Sequence, residues 1–245
     1  MTTMLVDVID LAPNEFFPFV PPFENGERMG QEEFHELYET TPKGFRAELI
    51  NGIVHMPSPV RMRHGGPQWL LAAWLVNYCA ATEGLESYSD ITSILSEKNE
   101  PQPDVALIVY PEIGGQTKPN AKGYLTGAPE FAIEIAHSSY GIDMNEKKTE
   151  YEKFGVLEYM VVAIRSRTVH FFHRRAGRFV SLKEDSDGIL KSRVFPGLWL
   201  DPAAVFCRTP NRLFEVLQRG LATPEHAKFA AKMKAKLAKI QKESE

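Results

Sequence analysis

Pro103-Asp104-Val105-Ala106-Leu107-Ile108-Val109 is followed, after a connector rich in Gly and Pro, by Pro129-Glu130-Phe131-Ala132-Ile133-Glu134-Ile135-Ala136. Short β-branched runs bounded by proline and glycine are the pattern of buried strands. Each run carries a carboxylate, Asp104 at the mouth of the first and Glu134 inside the second. A charged group that leaves water needs a partner, and two carboxylates at adjacent strand ends are placed to share a cation. For Asp104 there is a blander role, a local turn hydrogen bond after Pro103. For Glu134 the blander role is a structural ion pair.

Downstream of Glu134 the chain turns through His137-Ser138-Ser139-Tyr140-Gly141. Asp143 and Glu146 have capping-box spacing, which predicts a helix starting at Asp143 and ending near Gly155. Asp143, Lys147 and Tyr151 fall on one face of it, with Asp143 expected as a cap and Tyr151 as packing. Helical side chains lean toward the N-terminus, so Lys147 points back toward Glu134. Residues 158–164 then read as another strand. An Asp, a Glu and a Lys thus arrive at one place from two strands and a helix.

These pieces resemble the Uma-type putative restriction endonuclease family, a branch of the PD-(D/E)XK nuclease superfamily. The matching segments are Ala47-Glu48-Leu49-Ile50-Asn51-Gly52, Met56-Pro57-Ser58-Pro59 with His64, Pro103-Asp104-Val105-Ala106, and Pro129 to Ile135. Asp143-x-x-x-Lys147-x-x-x-Tyr151-x-x-x-Gly155-Val156-x-Glu158-Tyr159 follows, then Val194-Phe195-Pro196-Gly197-Leu198 and Val205-Phe206. The resemblance implies an α/β (mixed α+β) fold. Its restriction-endonuclease-like core is a mixed sheet flanked by helices, here with an added β-meander and a C-terminal helix. It also implies an endonuclease that hydrolyses phosphodiester bonds in DNA with Mg²⁺, or Mn²⁺ in its place. Asp104 and Glu134 would hold the ion, with the Ile135 carbonyl as a further ligand. Lys147 would stabilise the attacking hydroxide or the phosphate charge, and Glu48 would orient water or hold a second ion. His64 and His137 are accessory candidates, against the plainer roles of helix cap and loop filler.

Two features depart from the family pattern. Ala136 stands where the superfamily places a strand lysine, so the resemblance passes that role to Lys147 on the following helix. His137-Ser138-Ser139 replaces a Ser-Pro-Ser loop. Two other functions are compatible with the sequence. One is an inert copy of the fold that binds DNA or itself. The other is a hydrolase of a different substrate, with a transition metal on His64, His137 and Asp104.

Around this centre, residues 1–28 with their four prolines read as an extended arm, 29–208 as the nuclease domain and 209–245 as a helical extension. Residues 31–38 are a helix candidate. Residues 45–56 read as a hairpin turning at Asn51-Gly52, and 67–82 as a helix. Ile91–Leu95, Thr168–Phe172, Arg178–Leu182 and Ile189–Phe195 read as further strands, the last three completing the meander. In residues 224–242 an apolar stripe of Ala230, Met233, Leu237 and Ile240 calls for a partner. With the proline-rich arm it is spare surface for the homodimer that cutting both strands of a duplex requires. The net charge of −4 does not favour nucleic acid by itself, so basic residues would have to line one groove. Cys79 and Cys207 lack metal-ligand spacing and read as reduced thiols of a cytoplasmic protein. No apolar run has membrane-spanning length, and no membrane partner is expected.

Overall fold

The computed structural model describes residues 19–57, 62–207 and 210–243. In chain order they form α1 (Gln31–Glu39), the hairpin β1 (Glu48–Ile50) and β2 (Ile53–His55), α2 (Met62–Ala80), β3 (Leu85–Ser89), β4 (Ser93–Ile94) and β5 (Val105–Val109). A 3-10 turn at Pro111–Ile113 leads to β6 (Lys118–Pro119), β7 (Leu125–Thr126) and β8 (Phe131–Ala136). A composite helix comes next: α3 (Tyr140–Ile142), a π-helical turn (Asp143–Lys147) and α4 (Lys148–Phe154). Then follow β9 (Glu158–Ala163), β10 (Thr168–Arg175), β11 (Arg178–Ser181), β12 (Leu190–Lys191), β13 (Trp199–Leu200), α5 (Asn211–Leu221) and α6 (Pro224–Glu243).

The fold is mixed α+β, built on a six-stranded sheet in the order β11-β10-β9-β8-β5-β3. β8 and β9 pair in parallel and the other neighbours antiparallel. The parallel pair needs a crossover, and the composite helix between β8 and β9 supplies it. β8 and β9 are buried along their whole length, as continuous apolar runs in the centre of a covered sheet should be.

Alternation along β8 divides the two faces. Phe131, Ile133 and Ile135 enter the main core with Leu71, Trp74, Leu75 and Tyr78 of α2. Ala132 and Ala136 face the other way, toward Tyr151 and Tyr159. By the same alternation Glu134 lies on that second face. The N-terminal elements make a small separate core around Phe23, Phe34 and Leu49.

Several elements differ from the sequence expectation. The helix after β8 starts at Tyr140, so Asp143 is not its cap but a buried residue of the π turn. The meander consists of β9, β10 and β11 inside the main sheet. Of Ile189–Phe195 only Leu190–Lys191 is strand, paired with β13 in a separate two-stranded sheet. Likewise only Ser93–Ile94 of Ile91–Leu95 is strand, parallel to β7. α2 begins five residues before Pro67, at Met62. β3 was not expected, whereas α5 falls within the helical extension expected over 209–245. The α6 stripe already has a partner within the chain: Met233 is in the main core, and Leu237 and Ile240 pack against it. It is therefore not spare surface. In the arm, residues 1–18 lie outside the described ones. The following residues bond to the hairpin, with Gly26 N donating to Val54 O at 2.8 Å and Met29 N to Gly52 O at 3.1 Å.

Candidate active site

The site is assembled by the hairpin, two strands and the composite helix. Asn51 and Gly52 both have positive φ, the signature of a two-residue turn that matches strand twist. That turn sets the register Ile50↔Ile53, Leu49↔Val54 and Glu48↔His55. It also carries Glu48 to the start of the central strands, where Glu48 Oε1 accepts from Gln102 N at 2.6 Å.

Asp104 immediately precedes β5. Because Val105 pairs with Ile133, the next step of the antiparallel register sets Asp104 opposite Glu134. Asp104 Oδ2 accepts the Ile135 N–H at 2.7 Å, which ties the two strand ends together. The Asp104 carbonyl is held in turn by Gln68 Nε2 at 3.1 Å.

Lys147 reaches this point from the helix and is 5% exposed. Its Nζ lies 2.7 Å from Glu48 Oε2, 3.1 Å from Glu134 Oε1 and 3.8 Å from Asp143 Oδ1. Tyr151, one turn on, donates its hydroxyl to the same Glu134 oxygen at 3.0 Å. Tyr159 on β9 anchors the π turn by donating to the Asp143 carbonyl at 2.8 Å.

Burial would depress the Lys147 ammonium, but Glu134, Glu48 and Asp143 more than reverse that and hold its pKa well above the ordinary lysine value. Glu134 is pushed well above the usual carboxylate range by burial, which Lys147 opposes and Asp143, Glu48 and Asp104 reinforce. Asp143 is raised to about 6, again chiefly by burial and against the pull of Lys147. Three carboxylates, Glu48, Glu134 and Asp143, thus surround one ammonium, a surplus of acidic groups with little water to screen it. A further cation would relieve this surplus.

All side-chain donors in this cluster apart from Lys147 are oxygens. Such a set suits a small hard divalent ion over a softer one. Among the described residues no three His, Cys, Asp or Glu side chains converge as a ready-made metal cage. An ion here would therefore rest on Asp104 and Glu134, with a main-chain carbonyl and water completing its shell, as Mg²⁺ commonly does. Ile135 could contribute only main-chain atoms, since its side chain is in the core on the opposite face.

Asp104, Glu134, Lys147 and Glu48 are thus brought to one place. His137 follows β8, half-buried, and makes no hydrogen bond or ion pair with this cluster among the described residues. His64 belongs to the first turn of α2, and its side chain lies outside the described residues, as does any metal set that includes it.

Asp143 and Tyr151 belong to the site in place of the capping and packing roles expected of them. Sequence reasoning also missed His55, on the same side of the hairpin as Glu48. Its Nε2 is buried without a hydrogen-bond partner, 3.8 Å from Glu146 Oε2. The two-residue turn at Asn51-Gly52 was enough to place it opposite Glu48.

The model of the family Uma2, described as "Putative restriction endonuclease", matches residues 31–203. A crystal structure of a putative nuclease belonging to DUF820 from Anabaena variabilis is similar with a TM-score of 0.54. It is 14% identical, and the alignment covers 77% of this chain and 99% of that one, a likeness of fold. No curated protein matches the chain.

Proposed function

Since the chain belongs to the Uma2 putative restriction endonuclease family, we propose that it is a Mg²⁺-dependent endonuclease that hydrolyses phosphodiester bonds in DNA. The observation that carries this reading is Lys147 Nζ at 3.1 Å from Glu134 Oε1, with Asp104 directly across the strand pair. This gives two carboxylates for an ion and a fixed positive charge beside them, although Ala136 occupies the position of the usual strand lysine.

A divalent ion at Asp104 and Glu134 would supply Lewis acidity toward the phosphate and a lowered pKa for water. The chain's own residues do the rest. Lys147 is kept charged by its three carboxylate neighbours and is placed to stabilise hydroxide or the crowded phosphate oxygens. Glu48 and Tyr151 hold it and Glu134 in position from opposite sides. Mn²⁺ has the same preference for oxygen donors and substitutes for Mg²⁺. Cleaving both strands of a duplex calls for two such sites, and a two-fold homodimer provides them.

The test is nicking of supercoiled plasmid with Mg²⁺ or Mn²⁺ by the wild type, Asp104→Ala and Lys147→Ala. Loss in both variants supports the nuclease reading. Equal nicking by all three would trace the activity to a contaminant. The second reading, an inert copy that binds DNA or itself, rests on the closure of the Lys147–Glu48–Glu134 cluster. It takes over if the wild type leaves plasmid intact with either metal. Among the described residues no helix is long and apolar enough to cross a membrane.

A further inference from the structure

From Tyr159 to Lys183 the chain has six Lys and Arg and no Asp or Glu, against a net charge of −4 overall. This stretch comprises most of β9, all of β10 and β11, and the turns between them. At the end of β10 remote from Glu134 its cations are engaged. Arg174 Nε donates to Glu152 O at 3.0 Å, and Arg178 pairs with Glu152 Oε1 at 2.9 Å. At the near end Arg165 and Arg167 stand exposed in the β9–β10 turn, with no carboxylate partner among the described residues.

The strand register ties that near end to the candidate site. Glu134 pairs with Val161 and Val161 with His170, so the three side chains form one row on one face of the sheet. Two strand spacings set His170 about 10 Å from Glu134. Ala163 pairs with both Ala136 and Thr168, so the arginine turn lies at the end of the sheet where β8 finishes. Arg167 is held in the turn by a positive φ and lies over the Phe206 ring, 5.7 Å from its centroid. From the composite helix, Lys148 Nζ stands 4.2 Å from the ring centroid of Phe172, two residues along from His170. Lys148 also makes no ion pair among the described residues; Glu152, one turn on, is taken by Arg178 and the Phe179 N–H. Tyr140, 42% exposed, brings its hydroxyl to 3.4 Å from His170 Nε2. Burial and Lys148 hold the His170 pKa below its ordinary value, so the charge of this surface is that of Lys148, Arg165 and Arg167.

We propose, on the reading of the site as a DNA nuclease, that Lys148, Arg165 and Arg167, with Tyr140 and His170 beside them, form a track that holds one strand of duplex DNA by its phosphates and leads it to Glu134. Cations left without carboxylates next to a phosphodiester site suit a polyanion. A strand carries one phosphate per 3.4 Å or so of helix axis, so the roughly 10 Å from Glu134 to His170 spans about three nucleotides. Guanidinium groups bind phosphate through two parallel hydrogen bonds, and a phenol and an imidazole are neutral partners for the same oxygens. Contacts of this kind position the duplex and carry no sequence information.

The test is fluorescence anisotropy of a labelled blunt DNA duplex with the full chain, in Ca²⁺, which oxygen ligands hold in looser geometry than Mg²⁺. Arg165→Gln combined with Lys148→Gln should weaken binding by about tenfold and flatten the dependence of log Kd on log salt by about two. Arg165→Lys combined with Lys148→Arg should keep most of the affinity, which separates lost charge from lost packing. Arg175→Gln combined with Lys228→Gln removes the same charge from exposed positions away from the track, and should bind as the wild type does. Equal loss in the two Gln pairs, wild-type binding in the Arg165/Lys148 pair, no duplex binding by the wild type, or tighter binding of an RNA duplex would each overturn the proposal. Plasmid left intact by a wild type that still binds duplex through Arg165 and Lys148 would end the nuclease reading and leave the track standing.

Discussion

Lys147 and Tyr151, one turn apart on the composite helix, converge on the same oxygen of Glu134, at 3.1 Å and 3.0 Å. Glu134 Oε1 therefore has a charged and a neutral partner from one helix face. This arrangement separates the contributions of the site residues to stability and to chemistry.

Removing a carboxylate should remove the ion. Asp104→Ala and Glu134→Ala each leave a single strand carboxylate, too few to hold Mg²⁺ in a defined place. Calorimetric titration with Mn²⁺ should show binding by the wild type and none by either variant, and plasmid nicking should vanish in parallel. Wild-type affinity in either variant would remove that residue from the ligand set.

Lys147→Ala should keep metal binding and slow cleavage by about 10²-fold or more, the usual scale for losing one electrostatic stabiliser. It also leaves Glu48 and Glu134 without their shared cation, at a cost of roughly 3–5 kcal/mol for breaking a buried pair. That deficit should shrink in acid, where the orphaned carboxylates protonate. Lys147→Arg should recover the fold better than the rate, because a planar fork does not replace a compact ammonium between three carboxylates. Urea unfolding at pH 5 and pH 8, alongside single-turnover nicking, measures both effects.

Tyr151→Phe keeps the ring packed against Tyr159, tilted to it at 5.1 Å between centroids, and deletes only the hydroxyl. The loss of a buried hydrogen bond to a charged acceptor should cost about 1–3 kcal/mol in urea unfolding. A variant as stable as the wild type would show that Glu134 does not depend on the phenol.

Glu158, a buried carboxylate outside the site, gives the fold a pH dependence of its own. It accepts from Ser192 Oγ at 2.6 Å and Arg193 N at 2.6 Å, yet burial outweighs these donors and raises its pKa to about 7. The folded protein thus holds a proton that the unfolded chain releases near 4.5. Stability from this group is full below the lower value and falls as pH rises through the window, by roughly 3 kcal/mol in all. Asp143, raised to about 6, acts in the same direction. Unfolding free energies between pH 4 and pH 8 should decline, and Glu158→Gln should flatten the decline.

The central strands were legible because 105–109, 131–136 and 158–163 are apolar runs with clear breaks, and nothing but a covered sheet accommodates three of them. β3 was missed since Leu-Glu-Ser-Tyr-Ser has only one fully apolar residue, as befits an edge strand with a half-open face. α5 was legible within the helical extension, and its 3-4 stripe of Leu213, Val216 and Leu217 is the face it buries. The meeting of Asp104, Glu134 and Lys147 followed from strand parity and helix direction. Tyr151 and Asp143 were misassigned for a physical reason. Spacing shows which residues share a helix face, but a cap and a buried acid have the same spacing until the helix start is known.

The π-helical turn at Asp143–Lys147 makes the site sensitive to chain length. A π turn holds one residue more than an α-helical turn. Deleting one residue between Asp143 and Lys147 would let the segment relax to ordinary α-helix without disturbing Tyr151 or the strands that follow. Asp143 and Lys147 would then stand three residues apart, still on one helix face, but with the spacing between them shortened. A single in-frame codon is therefore the smallest genetic unit by which the spacing inside this cluster could be changed while the fold remained.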